Sequence, residues 1–143
     1  MAASFTHKPI VDVGLPQRLR DIAANLMSSS KIERQSVTDD VLRALDATDA
    51  RQLVDYLARS TRDQPAIQKF TVQSILRIAD FHQSVTDAVI SGLKRVPVKE
   101  LTPATVLLFR NRDEAMYRPL FEDWRQGDTP RTVRTAIEQV MGR

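Results

Sequence analysis

Two histidines, His7 and His82, are the only imidazoles in the 143 residues, and neither stands in the company that proton-transfer catalysis needs. His82 lies in Phe81-His82-Gln83 with Asp80 close by in sequence. A general base acts only beside a nucleophile and an orienting carboxylate, and no signature nucleophile accompanies it. The competing reading places His82 at a helix C-terminus, where its positive form suits the dipole. The carboxylate pairs Asp39-Asp40 and Glu122-Asp123 are adjacent in sequence, so on a helix they point to different sides and read as a cap and a solvated face. The chain has no cysteine, no His-x-x-x-His or His-Glu-x-x-His and no calcium loop, so no metal site is expected. Its four glycines, Gly14, Gly92, Gly127 and Gly142, form no phosphate loop. The expectation is therefore no catalytic residue, no metal and no cofactor.

The segment from Phe109 to Arg125 looks least like plain scaffold. It holds the one tryptophan, one of two tyrosines, two of five phenylalanines and four arginines. Arg, Trp and Tyr dominate binding hot spots because they join large burial to directed polar contacts. Arg110, Arg112, Tyr117, Arg118, Trp124 and Arg125 are accordingly the candidate partner-binding residues. The competing reading puts Phe121 and Trp124, at i and i+3, in the core, with arginine stems over the rim. Glu114, Glu122 and Asp123 lie among these arginines and would repel phosphates, so a protein partner fits better than DNA. The alternative for nucleic acid is the last helix, where Arg131, Arg134 and Gln139 share the outer face with Glu138. A helix-turn-helix there would join residues 113–126 to 130–141 through Gly127-Asp128.

These residues need helices to hold them. Leu15, Leu19, Ile22, Ala23, Leu26 and Met27 follow one face of a 3.6-residue period, and Ser28-Ser29-Ser30 ends that run. A short helix with Val37, Val41, Ala44 and Leu45 is expected behind a Ser36 cap. Ala50, Leu53, Val54, Leu57 and Ala58 form the next stripe behind Thr48, with Asp55 and Arg59 paired on the wet side. The helix after it opens at Asp63-Gln64-Pro65 and carries Ile67, Phe70, Ile75 and Ile78; so short a connection makes the two an antiparallel hairpin. Val85, Ala88, Val89, Gly92, Leu93 and Val96 give a further stripe, ended by Pro97. Thr102-Pro103 and Thr129-Pro130 read as helix starts. Residues 104–118 form one helix or two broken at Asn111 with Asp113 as a new cap, the break being favoured; Pro119 is expected to interrupt in either case. Val133, Ala136, Ile137, Val140 and Met141 line the last helix, and Gly142 ends it. No run alternates with period two, so no strand is expected.

Ser36-Val37-Thr38-Asp39 recurs 48 residues later as Ser84-Val85-Thr86-Asp87. The copies fit a two-fold internal repeat, residues 36–83 and 84–126, or chance. Helix pairs with short connections, the Asp63-Gln64-Pro65 cap and this period resemble the HEAT and armadillo superfamily of helical repeats over residues 36–126. That resemblance implies a stack of hairpins offering a protein-binding surface.

The bulk numbers agree with a single domain, residues 15–143, behind a flexible lead over residues 1–14 containing Pro9 and Gly14. A chain of this length buries roughly 68% of its unfolded surface, and 42% hydrophobic with 27% charged residues is ordinary for a globular protein. No apolar run spans a bilayer, and the start lacks a secretory signal, so a cytoplasmic protein without a membrane partner is expected. The net charge of +3 is spread along the chain, and 16 Arg to 5 Lys fits either a GC-rich, bacterial coding sequence or arginine used in fixed ion pairs. The reading is thus all-α, about seven short helices in antiparallel hairpins, as a HEAT-like array or a compact bundle. Functionally it is a non-enzymatic protein-interaction module or adaptor subunit, self-association included, with a nucleic-acid-binding regulator as the alternative.

Overall fold

A computed structural model describes residues 15–142; the expected lead over residues 1–14, with His7, lies outside them. Within that span the apolar stripes become nine α-helices: α1 (Gln17–Leu26), α2 (Lys31–Gln35), α3 (Asp39–Arg43), α4 (Ala47–Asp63), α5 (Gln68–Phe81), α6 (Thr86–Leu93), α7 (Pro103–Leu107), α8 (Glu114–Gln126) and α9 (Arg131–Val140). Three 3₁₀ turns, Pro65–Ile67, Gln83–Val85 and Val98–Glu100, link them, and there is no strand among the described residues. The class is all-α, as expected, with more helices than the expected seven or so. The surplus comes from α2, which buries no residue and so has no stripe to read; the break between α7 and α8 is the one favoured from the sequence. At that break Asn111 takes φ 71°, which Asn tolerates better than most residues, and the Asp113 carboxylate accepts from the amides of Ala115 and Met116.

Several start signals are used differently from expectation. Thr38, not Ser36, caps α3, its hydroxyl accepting from Val41 N, while Ser36 closes α2. Asp46, not Thr48, caps α4 by accepting from Asp49 N at 2.8 Å. A carboxylate gains more than a hydroxyl from the dipole at that end. Thr102 caps α7 with Pro103 behind it, as expected. The Thr129 hydroxyl instead turns back to the Trp124 carbonyl and leaves α9 without a side-chain cap. Pro119 does not interrupt: α8 runs through it from Glu114 to Gln126, held by its buried face of Tyr117, Leu120, Phe121 and Trp124. Gly142, at φ 76°, ends α9 in the left-handed conformation expected of it.

The helices pack in two rows. One holds α4, α6 and α8; the other holds α3, α5, α7 and α9; α4 against α5 and α8 against α9 join the rows, and α1 lies on α4. The α4–α5 pair is antiparallel, because Thr61 near the end of α4 meets Thr71 near the start of α5, their hydroxyl oxygens 2.5 Å apart. Leu53 and Leu57, Ile75 and Ile78, Val89 and Leu93, and Leu120 and Trp124 are all fully buried between the rows. Each contributes about 1.5–3 kcal/mol from burial alone. Helix α6 reaches α4 closely at Gly92: a Cβ there would sit 2.6 Å from the Ala58 Cβ. In the short third helix the stripe is displaced by one residue, with Leu42 fully buried and Val41 38% exposed.

A polar set is enclosed with the apolar core. The Gln68 side chain donates to Glu100 O at 2.9 Å and accepts from the Thr105 hydroxyl at 2.8 Å. Gln68, Thr71, Thr105 and Thr61 are all buried. Such groups are tolerated because each has a partner.

Candidate functional site

The residues expected to grip a partner are drawn apart by the fold. Trp124 is fully buried and Tyr117 is 3% exposed, so both belong to the core and are corrected as surface candidates. The physical reason is an aromatic cluster around Phe109, whose ring meets Tyr117, Phe121 and Trp124 edge-on at 5.2, 5.3 and 5.8 Å. Edge-to-face geometry adds about 0.5–1.5 kcal/mol per pair to the burial. The Trp124 indole donates to Leu93 O at 3.1 Å, which satisfies its one polar atom without water. Burial, with Asp80 and Asp113 adding to it and Arg112 opposing, pushes the Tyr117 phenol above its ordinary 10.0.

The arginines around this cluster are also committed. Arg112 Nη1 donates to both Asp80 oxygens, at 2.5 and 2.6 Å. Arg118 pairs with Glu114 one turn back, and Arg125 with Glu122 at 3.0 Å. Only Arg110 of the six is exposed and without a carboxylate among the described residues. His82 serves the structure: it closes α5, and its Nε2 donates to Leu42 O at 2.8 Å, tying α5 to α3. The Asp55–Arg59 pair does not form; Asp49 is instead held by Arg18.

Of the nucleic-acid candidates, Arg131 and Gln139 line one groove of 350 Å³ between α7 and α9, floored by Pro103, Leu107 and Ala136. Arg134 is exposed on α9 and does not line it.

A larger cleft, of 460 Å³, lies where sequence reading pointed to nothing, between the α2–α3 segment and α5. Leu26, Val37 and Phe70 form its apolar part; Lys31, Arg34 and Arg77 surround it, with Asp39 the one carboxylate. The Arg34 guanidinium lies 3.8 Å over the Phe70 ring while its Nη1 donates to Ser28 O at 2.7 Å. Stacking and hydrogen bond together fix the charge at the cleft wall. Arg77 donates to Val37 O at 2.9 Å and to Asp39 at 2.8 Å. Beside it, on the same two short helices, Ile32 is 81% and Val41 38% exposed. The signal available in the sequence was Lys31-Ile32-Glu33-Arg34, polar on every side but one, which has no core stripe and so predicts no helix. A third cleft, of 240 Å³, opens between α4 and α6.

Among the described residues no group of three or more His, Asp or Glu could hold a metal ion, and no helix is long and apolar enough to cross a membrane. No protein-family model matches the chain, and neither the curated proteins nor the solved structures give a significant match. The likeness to HEAT and armadillo repeats therefore rests on the residues that first carried it.

Proposed function

We propose that the protein is a non-enzymatic interaction module whose cleft between the α2–α3 segment and α5 receives an acidic, partly apolar segment of another protein. The observation that carries this is the make-up of the cleft: three cations against one carboxylate around Leu26, Val37 and Phe70. Ile32 and Val41, left exposed on the adjoining helices, supply the apolar anchors that an all-charged site would lack. Self-association through this cleft is disfavoured, because an isologous contact would set cations against cations.

The test is affinity capture from the native host, with and without nuclease, comparing the natural chain with Lys31→Glu combined with Ile32→Asp. Both positions lie on α2, which buries no residue, so the fold should survive by circular dichroism. Loss of a specific protein in the double variant, insensitive to nuclease, is the expected outcome. Capture unchanged by the substitutions would remove the reading.

A nucleic-acid-binding regulator is the second reading, supported by Arg131 and Arg134, which are exposed on α9 and have no ion-pair partner among the described residues. It predicts that capture disappears with nuclease and weakens steeply as salt rises.

A further inference from the structure

The 240 Å³ cleft between α4 and α6 lies in the other row of helices, and its arginines are used unlike most others in the molecule. Arg18, Arg43, Arg51, Arg77, Arg112, Arg118 and Arg125 each hold a carboxylate. In this cleft Arg59 and Arg62, three residues apart on one face of α4, meet Arg95 from just beyond α6. Among the described residues Arg59 and Arg95 are in no ion pair, and Arg62 reaches only Asp63 at 3.4 Å. The Arg59 Nε is wholly buried with no acceptor, although Asp55 sits one turn earlier at the spacing where a pair would ordinarily form. A buried guanidinium N–H that no protein acceptor meets is costly, and a water or an anion is what commonly satisfies it. Arg20, outside the cleft, and Arg112, whose Nη1 already grips Asp80, have a buried Nε of the same kind, so it is the convergence with Arg62 and Arg95 that sets Arg59 apart.

We propose that this cleft is an oxyanion site that binds a phosphate group. Guanidinium forks match the tetrahedral oxyanion with paired N–H donors and do not lose their charge. Ser91 stands among the lining residues with a hydroxyl to add. With Asp63 assigned to Arg62, the guanidinium groups of Arg59 and Arg95 stay uncommitted against one lining carboxylate, Asp55. The reading is independent of the partner cleft, since neither lining residues nor helix pair are shared apart from the common bundle.

The test uses the full chain, with sodium phosphate and sodium pyrophosphate titrated against sodium chloride at matched ionic strength, following the arginine Nε–Hε resonances by NMR. Saturable movement of the Arg59 resonance is expected with a phosphate probe and not with chloride. Arg59→Gln combined with Arg95→Gln should weaken binding at least tenfold while the circular dichroism spectrum is kept. Arg134→Gln combined with Arg131→Gln, an equal loss of charge outside the cleft, should leave affinity unchanged. Tighter binding of pyrophosphate would assign the cleft to a diphosphate, and tighter binding of phosphate to a single group. A response no larger than that to chloride, or equal weakening by the two double variants, would overturn the proposal.

Discussion

At the first Ser-Val-Thr-Asp, Ser36 closes α2 and the Thr38 hydroxyl caps α3; at the second, Ser84 lies inside a 3₁₀ turn and Thr86 is already the first residue of α6, its hydroxyl on Gln83 O at 2.8 Å. The copies also stand in different rows, α3 beside α5 and α6 beside α4. Two things are nevertheless shared. Val37 and Val85 are both buried. Each copy is also clasped by one arginine that takes a backbone carbonyl and the aspartate together: Arg77 on Val37 O and Asp39, Arg51 on Ser84 O and Asp87. Beyond the tetrapeptide the likeness is partial: Leu45 and Leu93 are both buried, but Val41 is 38% exposed and its counterpart Val89 is fully buried. Identical local sequence thus keeps a buried valine and an arginine on its aspartate, while the threonine's partner and the face turned inward follow the neighbouring helices.

The largest effect should come from the support of the second copy. Trp124→Ala removes the side chain that donates to Leu93 O and packs against Phe109 and Phe121 in the aromatic cluster. It should cost about 3–5 kcal/mol in urea unfolding. Unchanged stability with loss of partner capture would return Trp124 to the surface and cancel the contrast between the copies. A smaller and more direct comparison is Val89→Thr against Val41→Thr. The hydroxyl should cost about 1–3 kcal/mol in α6, where it enters the core, and within about 0.5 kcal/mol in α3. Equal losses would mean that the two helices are equivalent after all.

The smallest effect concerns the clasp. The hydrogen bond from Arg51 holds the Asp87 carboxyl below its ordinary 3.8 and, reciprocally, raises the arginine. A depressed carboxylate stabilises the fold fully above 3.8 and loses that contribution as pH falls through the folded value. Asp87→Asn should therefore flatten the acid limb of the stability curve below that point, measured by thermal melts across pH. A variant that melts identically to the natural chain at every acid pH would leave the second clasp without a stabilising role.

The parts legible in the sequence were those written by long stripes. Leu53, Val54, Leu57 and Ala58 fix α4 because nothing else accommodates that period, and Val133, Ala136 and Ile137 do the same for α9. Short elements were harder to read. In α3, five residues long, Val41 and Leu42 compete for one inward position, and packing against α5 settles it for Leu42. Helix α2 carries no inward residue, so the cleft it builds with α5 had no trace in periodicity. Tyr117 and Trp124 had the composition of a hot spot, yet burial depends on Phe109, which reaches them from across the Asn111 break. Pro119 looked like a stop and was overruled by four buried residues on its own helix.

Gln68 ties α5 to Glu100 O and to Thr105 of α7, while Thr71, one turn on, meets Thr61 of α4. A purely greasy interface would let these rods slide by a turn at little cost. With these keys in place, any slip strands donors and acceptors in a dry interior, so the rods are locked in a single alignment. The outward-facing charges on both sides of the molecule consequently keep fixed spacings, and whatever docks there meets a rigid template and has to supply the matching pattern itself.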